Sequence, residues 1–176
     1  MTKGKEYKIK LILYFFIFSF AGWLLETGYC ITQLGFFVKR GFLFGPICPI
    51  YGFGALILII FLNKYRKHSL KLFFSAAIIC SVFEYIVSYS LDALFSAKWW
   101  DYSNEFLNLN GRISILFSLS WGIIAILFIN HLFPFFENHL NKVFKKFSDH
   151  TKTGIAITFL ILLLIDIVFS CIKYLK

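Results

Sequence analysis

Four carboxylates sit where water is scarce. Glu26, Glu84, Asp92 and Asp166 each interrupt a long apolar run, and an acid inside a membrane-spanning helix costs ~2.5–3.5 kcal/mol on insertion scales. A penalty of that size marks all four as candidates for function. Carboxylates placed close together do acid–base work, and they line polar pathways. Two arginines, Arg40 and Arg112, each adjoin a glycine, Gly41 and Gly111, where a backbone can approach closely. A guanidinium fork takes a carboxylate or phosphate bidentately. Glu26, Arg40, Glu84, Asp101 and Arg112 therefore read as the lining of an anion site. The competing reading is internal. The acids and arginines pair with one another, or with hydroxyls, to hold a helix bundle together. Both readings stay open, because a paired arginine can still face a substrate.

Spacing groups these residues. Ser19, Gly22, Trp23, Glu26 and Cys30 share one helical face, as do Ser81, Glu84, Ser88 and Asp92, while Asp166 and Ser170 stand at i and i+4. Other chemistries find less support. His68, His131, His139 and His150 fall in or beside basic segments away from the acids, and no serine or cysteine has an obvious base beside it. The cysteines Cys30, Cys48, Cys80 and Cys171 form no CxxC pair and no zinc spacing. Neither a metal nor a cofactor is expected. Cys30 and Cys48 fall near one membrane face, so a disulfide between them competes with four small buried thiols.

The elements that must carry these residues follow from composition. The 176 residues are 59% hydrophobic and only 15% charged, against about 45–50% and about 25% in a soluble domain. Five apolar runs, at about 9–31, 42–62, 72–95, 113–133 and 154–172, each approach the ~20 residues that cross a bilayer as a helix. The fold class is therefore all-α: a polytopic bundle of about five spans in one membrane domain, 1–176. The net charge of +9 lies between the runs rather than on a polar domain, which argues for loops at an anionic membrane face and against nucleic acid. With the N-terminus inside, twelve basic residues fall on inner segments and six on outer ones, so the expected topology is N-in and C-out. Segment 134–147 places Phe136, Leu140, Val143, Phe144 and Phe147 on one helical face, as an inner-leaflet amphipathic helix would. Run two opens on Pro46 and Pro49, leaving too few residues beyond Pro49 to span alone. Its start reads either as irregular backbone lining a cavity or as a tight helix start.

Taken in order, Gly22-Trp23-x-x-Glu26, Arg40-Gly41-Phe42-Leu43-Phe44-Gly45-Pro46-x-x-Pro49-Ile50-Tyr51-Gly52, Glu84-Tyr85, Trp100-Asp101-Tyr102-Ser103, Asn108-x-Asn110-Gly111-Arg112 and Trp121-Gly122 resemble the ABC-transporter type IV, or CmpB-like, membrane proteins. The motifs cover about residues 20–125. The resemblance implies a permease-like transport component in a cell membrane, expected to be the bacterial cytoplasmic membrane. The motif residues Tyr51, Tyr102 and Asn108 join the polar-cavity candidates; the secondary set is Ser88 and Asp92 from the polar stripe with Trp100 and Asn110 from the motifs. The chain has no Gly-rich phosphate loop, so an ATPase would be a separate subunit. Membrane lipids and a second copy of the chain are the other expected partners. An enzyme acting on a lipid or polyprenyl head group, and a non-catalytic scaffold, remain the alternatives.

Overall fold

The computed structural model describes residues 2–175. Among the described residues the regular elements are helices and one short hairpin of two two-residue strands: α1 (Lys3–Leu34), α2 (Pro49–Ile57), α3 (Ser69–Phe95), β1 (Asn108–Leu109), β2 (Ile113–Ser114), α4 (Ile115–Leu127), α5 (Phe133–Phe144) and α6 (Asp149–Tyr174). Among the described residues, four helices are long and apolar enough to cross a membrane: Lys3–Leu34, Ser69–Phe95, Ile115–Phe144 and Asp149–Tyr174. The second expected span is instead a shorter apolar helix, Pro49–Tyr65. It starts at Pro49 because a proline needs no donor in a first turn. Residues 35–48 before it are irregular.

Local chemistry sets the helix ends. Thr2 and Ser148 accept from Lys5 N–H and Thr151 N–H as N-caps. Gly35 ends α1 in the left-handed region at φ 76°, donating its N–H to Ile31 O. The expected separation of span four from an interfacial helix at 134–147 is not observed. α4 runs into α5 through a π turn, Phe128–Leu132, and α5 ends at Phe144. Proline here does not stop the helix, because the π turn has already shifted the hydrogen-bond ladder. Pro134 cannot donate to Asn130 O, and Arg66 Nη2 donates to that carbonyl at 3.4 Å.

The chain divides into two compact units, residues 1–56 with 139–176 and residues 57–138. In the first, α1 packs on α6, and Ile9, Phe144 and Ala156 form a buried cluster joined by Ile12, Leu13 and Leu140. The apolar face of α5 is thus partly covered by protein, while Val143 stays exposed, as does Phe147 beyond the helix end. α2 lies tightly on α1, with Gly22 under the Tyr51 ring and Gly52 against Ser19 Oγ and Phe15 O. A side chain at either position would force the helices apart. Higher along the pair, α1 presents Leu13, Phe16, Ile17 and Phe20 and α6 presents Phe159, Leu162 and Leu163 to a cleft of about 600 Å³. In the second unit α3 packs along α4 through small residues. Ala76 and Ala125 are fully buried, and Gly122 sits against Phe73.

Candidate functional site

In the first unit the irregular segment 35–48 carries the polar groups. Gly41, at φ 88°, turns the chain where a Cβ would meet Cys48 Sγ, and Cys48 N–H donates to Ser19 O at 2.9 Å. The turn delivers Arg40 to Glu26 of α1. Arg40 Nε stands 3.7 Å from Glu26 Oε2, in ion-pair range but beyond a hydrogen bond. Tyr51 of α2 donates its hydroxyl to Glu26 Oε1 at 3.0 Å. Three expected residues, Glu26, Arg40 and Tyr51, therefore meet. Around them, Arg40 Nε, Trp23 Nε1 and Thr27 Oγ1 are buried without a hydrogen-bond partner. Trp23 and Thr27 stand at i and i+4 on α1, within one turn of Glu26 in sequence, and Arg40 Nε faces that carboxylate directly. Each can donate a proton, and such buried donors cost about 1–3 kcal/mol apiece when unpaired. The arrangement suits a ligand that brings acceptor oxygens.

Asp166 holds the same segment from α6. Its Oδ1 accepts from Phe44 N–H and its Oδ2 from Gly45 N–H, both at 2.7 Å, and Ser170 Oγ donates to Oδ1 at 3.1 Å. A Cβ on residue 45 would approach Oδ2 to 2.8 Å, which is why glycine stands there. Lys39 Nζ donates to Leu43 O at 2.8 Å and lies 4.8 Å from the Phe44 ring centre, and Lys173 Nζ lies 5.1 Å from that centre. Burial pushes the Lys39 ammonium below the usual lysine range, Lys173 repels it further, and Asp166 opposes both.

The second unit gathers the remaining candidates. Glu84 is 5% exposed. Its Oε1 accepts from Tyr102 Oη at 3.1 Å and its Oε2 from Trp121 Nε1 at 2.9 Å. Arg112 donates to Asp92 Oδ2 at 2.6 Å and to Ser88 Oγ at 3.2 Å, with Tyr89 and Tyr85 rings beside it at 5.5 and 6.0 Å. Trp100 Nε1 donates to Arg112 O at 3.1 Å. Asp92, Ser88 and Trp100 thus serve Arg112 directly.

A hairpin turn presents that arginine. Asn110 and Gly111 both have positive φ, 54° and 67°, and Arg112 N–H donates to Leu109 O, the geometry of the primed turns that match strand twist. Asn108 braces the turn, its Nδ2 donating to Ser103 O and Glu105 O and its Oδ1 accepting from Gly111 N–H. Asn110 Nδ2 donates to Tyr85 Oη at 2.9 Å. Asp101 accepts from the Ser103 hydroxyl and from Ser103 N–H at 2.9 Å. These bonds hold its carboxyl below the usual range, with a smaller contribution from Lys98.

Sequence reasoning left Trp23, Thr27, Asp166 and Trp121 off the site set. Trp121 and Asp166 are joined to their partners across 37 and 121 residues, and no local spacing predicts such meetings. The hairpin was readable from Asn110-Gly111, the dipeptide that best tolerates two positive φ values in succession. Cys30 and Cys48 are both buried free thiols, so no disulfide joins them. Among the described residues, no group of three His, Cys, Asp or Glu is arranged to hold a metal ion.

Comparison with known proteins adds one family. The family described as "Putative ABC-transporter type IV" matches residues 13–171, and the chain belongs to it. The match extends past the motifs of residues 20–125 to the last turn of α6. No curated protein and no solved structure matches.

Proposed function

We propose that this member of the ABC-transporter type IV family is the multi-pass membrane subunit of a transport system. Its polar site, at Glu26, Arg40 and Tyr51, receives an oxygen-rich anionic group. The observation that carries the reading is the trio of buried donors without partners, Trp23 Nε1, Thr27 Oγ1 and Arg40 Nε. Folded proteins pair nearly all such groups, and acceptor oxygens of a carboxylate or phosphate are what donors of this kind lack. The absence of a phosphate-binding loop in the sequence puts ATP hydrolysis on a separate subunit. The loop charge bias supports an N-in orientation, with the site toward the outer face of a cell membrane. Glu84 and Arg112 act in this reading as scaffold, because side chains of their own unit already fill their hydrogen bonds.

Cross-linking the tagged chain in its native membrane tests both halves of the proposal. An ATPase is expected at near-stoichiometric yield with wild type and with Arg40→Gln alike. Purified wild-type protein is expected to gain thermal stability from at least one of phosphate, sulfate, acetate and citrate, and Arg40→Gln to lose that gain at normal abundance. Recovery of no ATPase would rule out the transport reading. An unchanged anion response in Arg40→Gln would rule out the site.

A further inference from the structure

The cleft between α1 and α6 is apolar along its length and polar at one end. Its walls are two helical stripes, each repeating at three- and four-residue steps, and the α6 stripe ends on Asp166. Gly45, Pro46 and Ile47 close that end. A volume of about 600 Å³ falls within the ~300–1,000 Å³ typical of ligand sites. α6 exposes Ile161, Leu164, Ile165 and Val168 beside it, a surface that water would not tolerate and lipid would.

Charge decides what the cleft takes. Lys39 and Lys173 flank the Phe44 ring at 4.8 and 5.1 Å from its centre, so the two ammonium groups lie no further apart than the sum of those distances. The carboxylate that acts on Lys39 is Asp166, and both of its oxygens are taken by the Phe44 and Gly45 amides. Neither lysine lines the cleft itself; just beyond its Asp166 end, around Phe44 of the closing loop, two cations stand against one engaged anion. A neutral or zwitterionic head group would bring a further cation or none of the missing charge, whereas a net-negative phosphodiester supplies it. A second protein helix would fill the apolar stripes but leave the lysines uncompensated.

We infer that this cleft binds an anionic glycerophospholipid, with an acyl chain between Phe16 and Leu163 and the phosphate held by Lys39 and Lys173. The site is distinct from the Glu26–Arg40 pair and stands whether or not the transport reading does.

Native mass spectrometry of the full chain, with phosphatidylglycerol and phosphatidylcholine as probes, tests this. Wild type is expected to retain phosphatidylglycerol preferentially. Each basic side chain near a phosphate contributes a factor of about five. Lys173→Gln should thus weaken the preference about fivefold, and Lys39→Gln with Lys173→Gln about thirtyfold. Lys39 also donates to Leu43 O, so the single Lys173→Gln is the variant that keeps the loop bonded. Leu163→Trp, which fills the cleft, should abolish retention, and Arg40→Gln should leave it unchanged. Equal retention of the two lipids by wild type, or undiminished preference in Lys173→Gln, would overturn the inference. So would a dimer that Leu163→Trp converts to monomer while lipid retention stays the same, which would make a second copy the occupant.

Discussion

Asp166→Asn is the most informative single change. The wild-type carboxylate accepts from two consecutive backbone amides, Phe44 N–H and Gly45 N–H, each at 2.7 Å. An asparagine has one acceptor oxygen, so one amide loses its partner and meets an NH₂ donor instead. A hydrogen bond to a charged group contributes ~1.5–3 kcal/mol, and an amide left unpaired costs a comparable amount. Phe44 is exposed and solvent can replace part of its bond, so the lower end applies: about 2 kcal/mol, nearly all of it on segment 39–48. Cys48 reports on that segment. It is 3% exposed, tucked against Gly41 and bonded through its N–H to Ser19 O. In a background with Cys30, Cys80 and Cys171 replaced by alanine, a thiol-reactive maleimide reaches Cys48 only when the segment opens. An opening made easier by about 2 kcal/mol raises the modification rate about 30-fold. A change below about threefold, with global thermal stability intact, would refute the claim that Asp166 holds the loop.

Three other outcomes follow from the packing. Gly52→Ala forces a methyl group into Phe15 O and Ser19 Oγ, and overpacking of this kind costs ~1–3 kcal/mol. The expected drop in melting temperature should exceed that of Gly54→Ala, whose Cβ meets nothing within 4 Å. A double-mutant cycle of Arg112→Gln and Asp92→Asn should give a coupling of about 1–2 kcal/mol, because the 2.6 Å contact has an arginine only 12% exposed. A coupling near zero would mean the pair is dispensable. The Asp101 carboxyl is depressed by the Ser103 donors, so its stabilising effect is complete above the ordinary carboxylate range and disappears as pH falls through the lowered value. Protection of the Ser103 amide from exchange, taken relative to the unprotected rate at each pH, should therefore fall at acid pH, and Asp101→Asn should abolish that dependence.

How much was legible depends on the range of each interaction. The four long helices and the broken start of the second apolar run are local facts, set by run length and by proline chemistry, and the structure carries both. The boundary at Pro134 was misjudged because a π turn upstream relieves the proline, and ladder shifts leave no mark in composition. Likewise the sequence offers Asp166 a single helical partner, Ser170. Its other partners are backbone amides, which have no letter of their own, presented by a loop 121 residues away.

The sequence by itself determined that the buried acids demand partners, since an apolar run cannot solvate a carboxylate. It also determined which residue types were available as partners. Only tertiary structure decided the pairings. Arg112 goes to Asp92 because a two-positive-φ turn aims it back along α3. Glu84 goes to Tyr102 and Trp121. Glu26 takes the Tyr51 hydroxyl and keeps Arg40 at 3.7 Å, with the arginine's Nε left unpaired. Hydropathy acts residue by residue and is written along the chain. Hydrogen-bond satisfaction depends on which surfaces meet, and packing decides that.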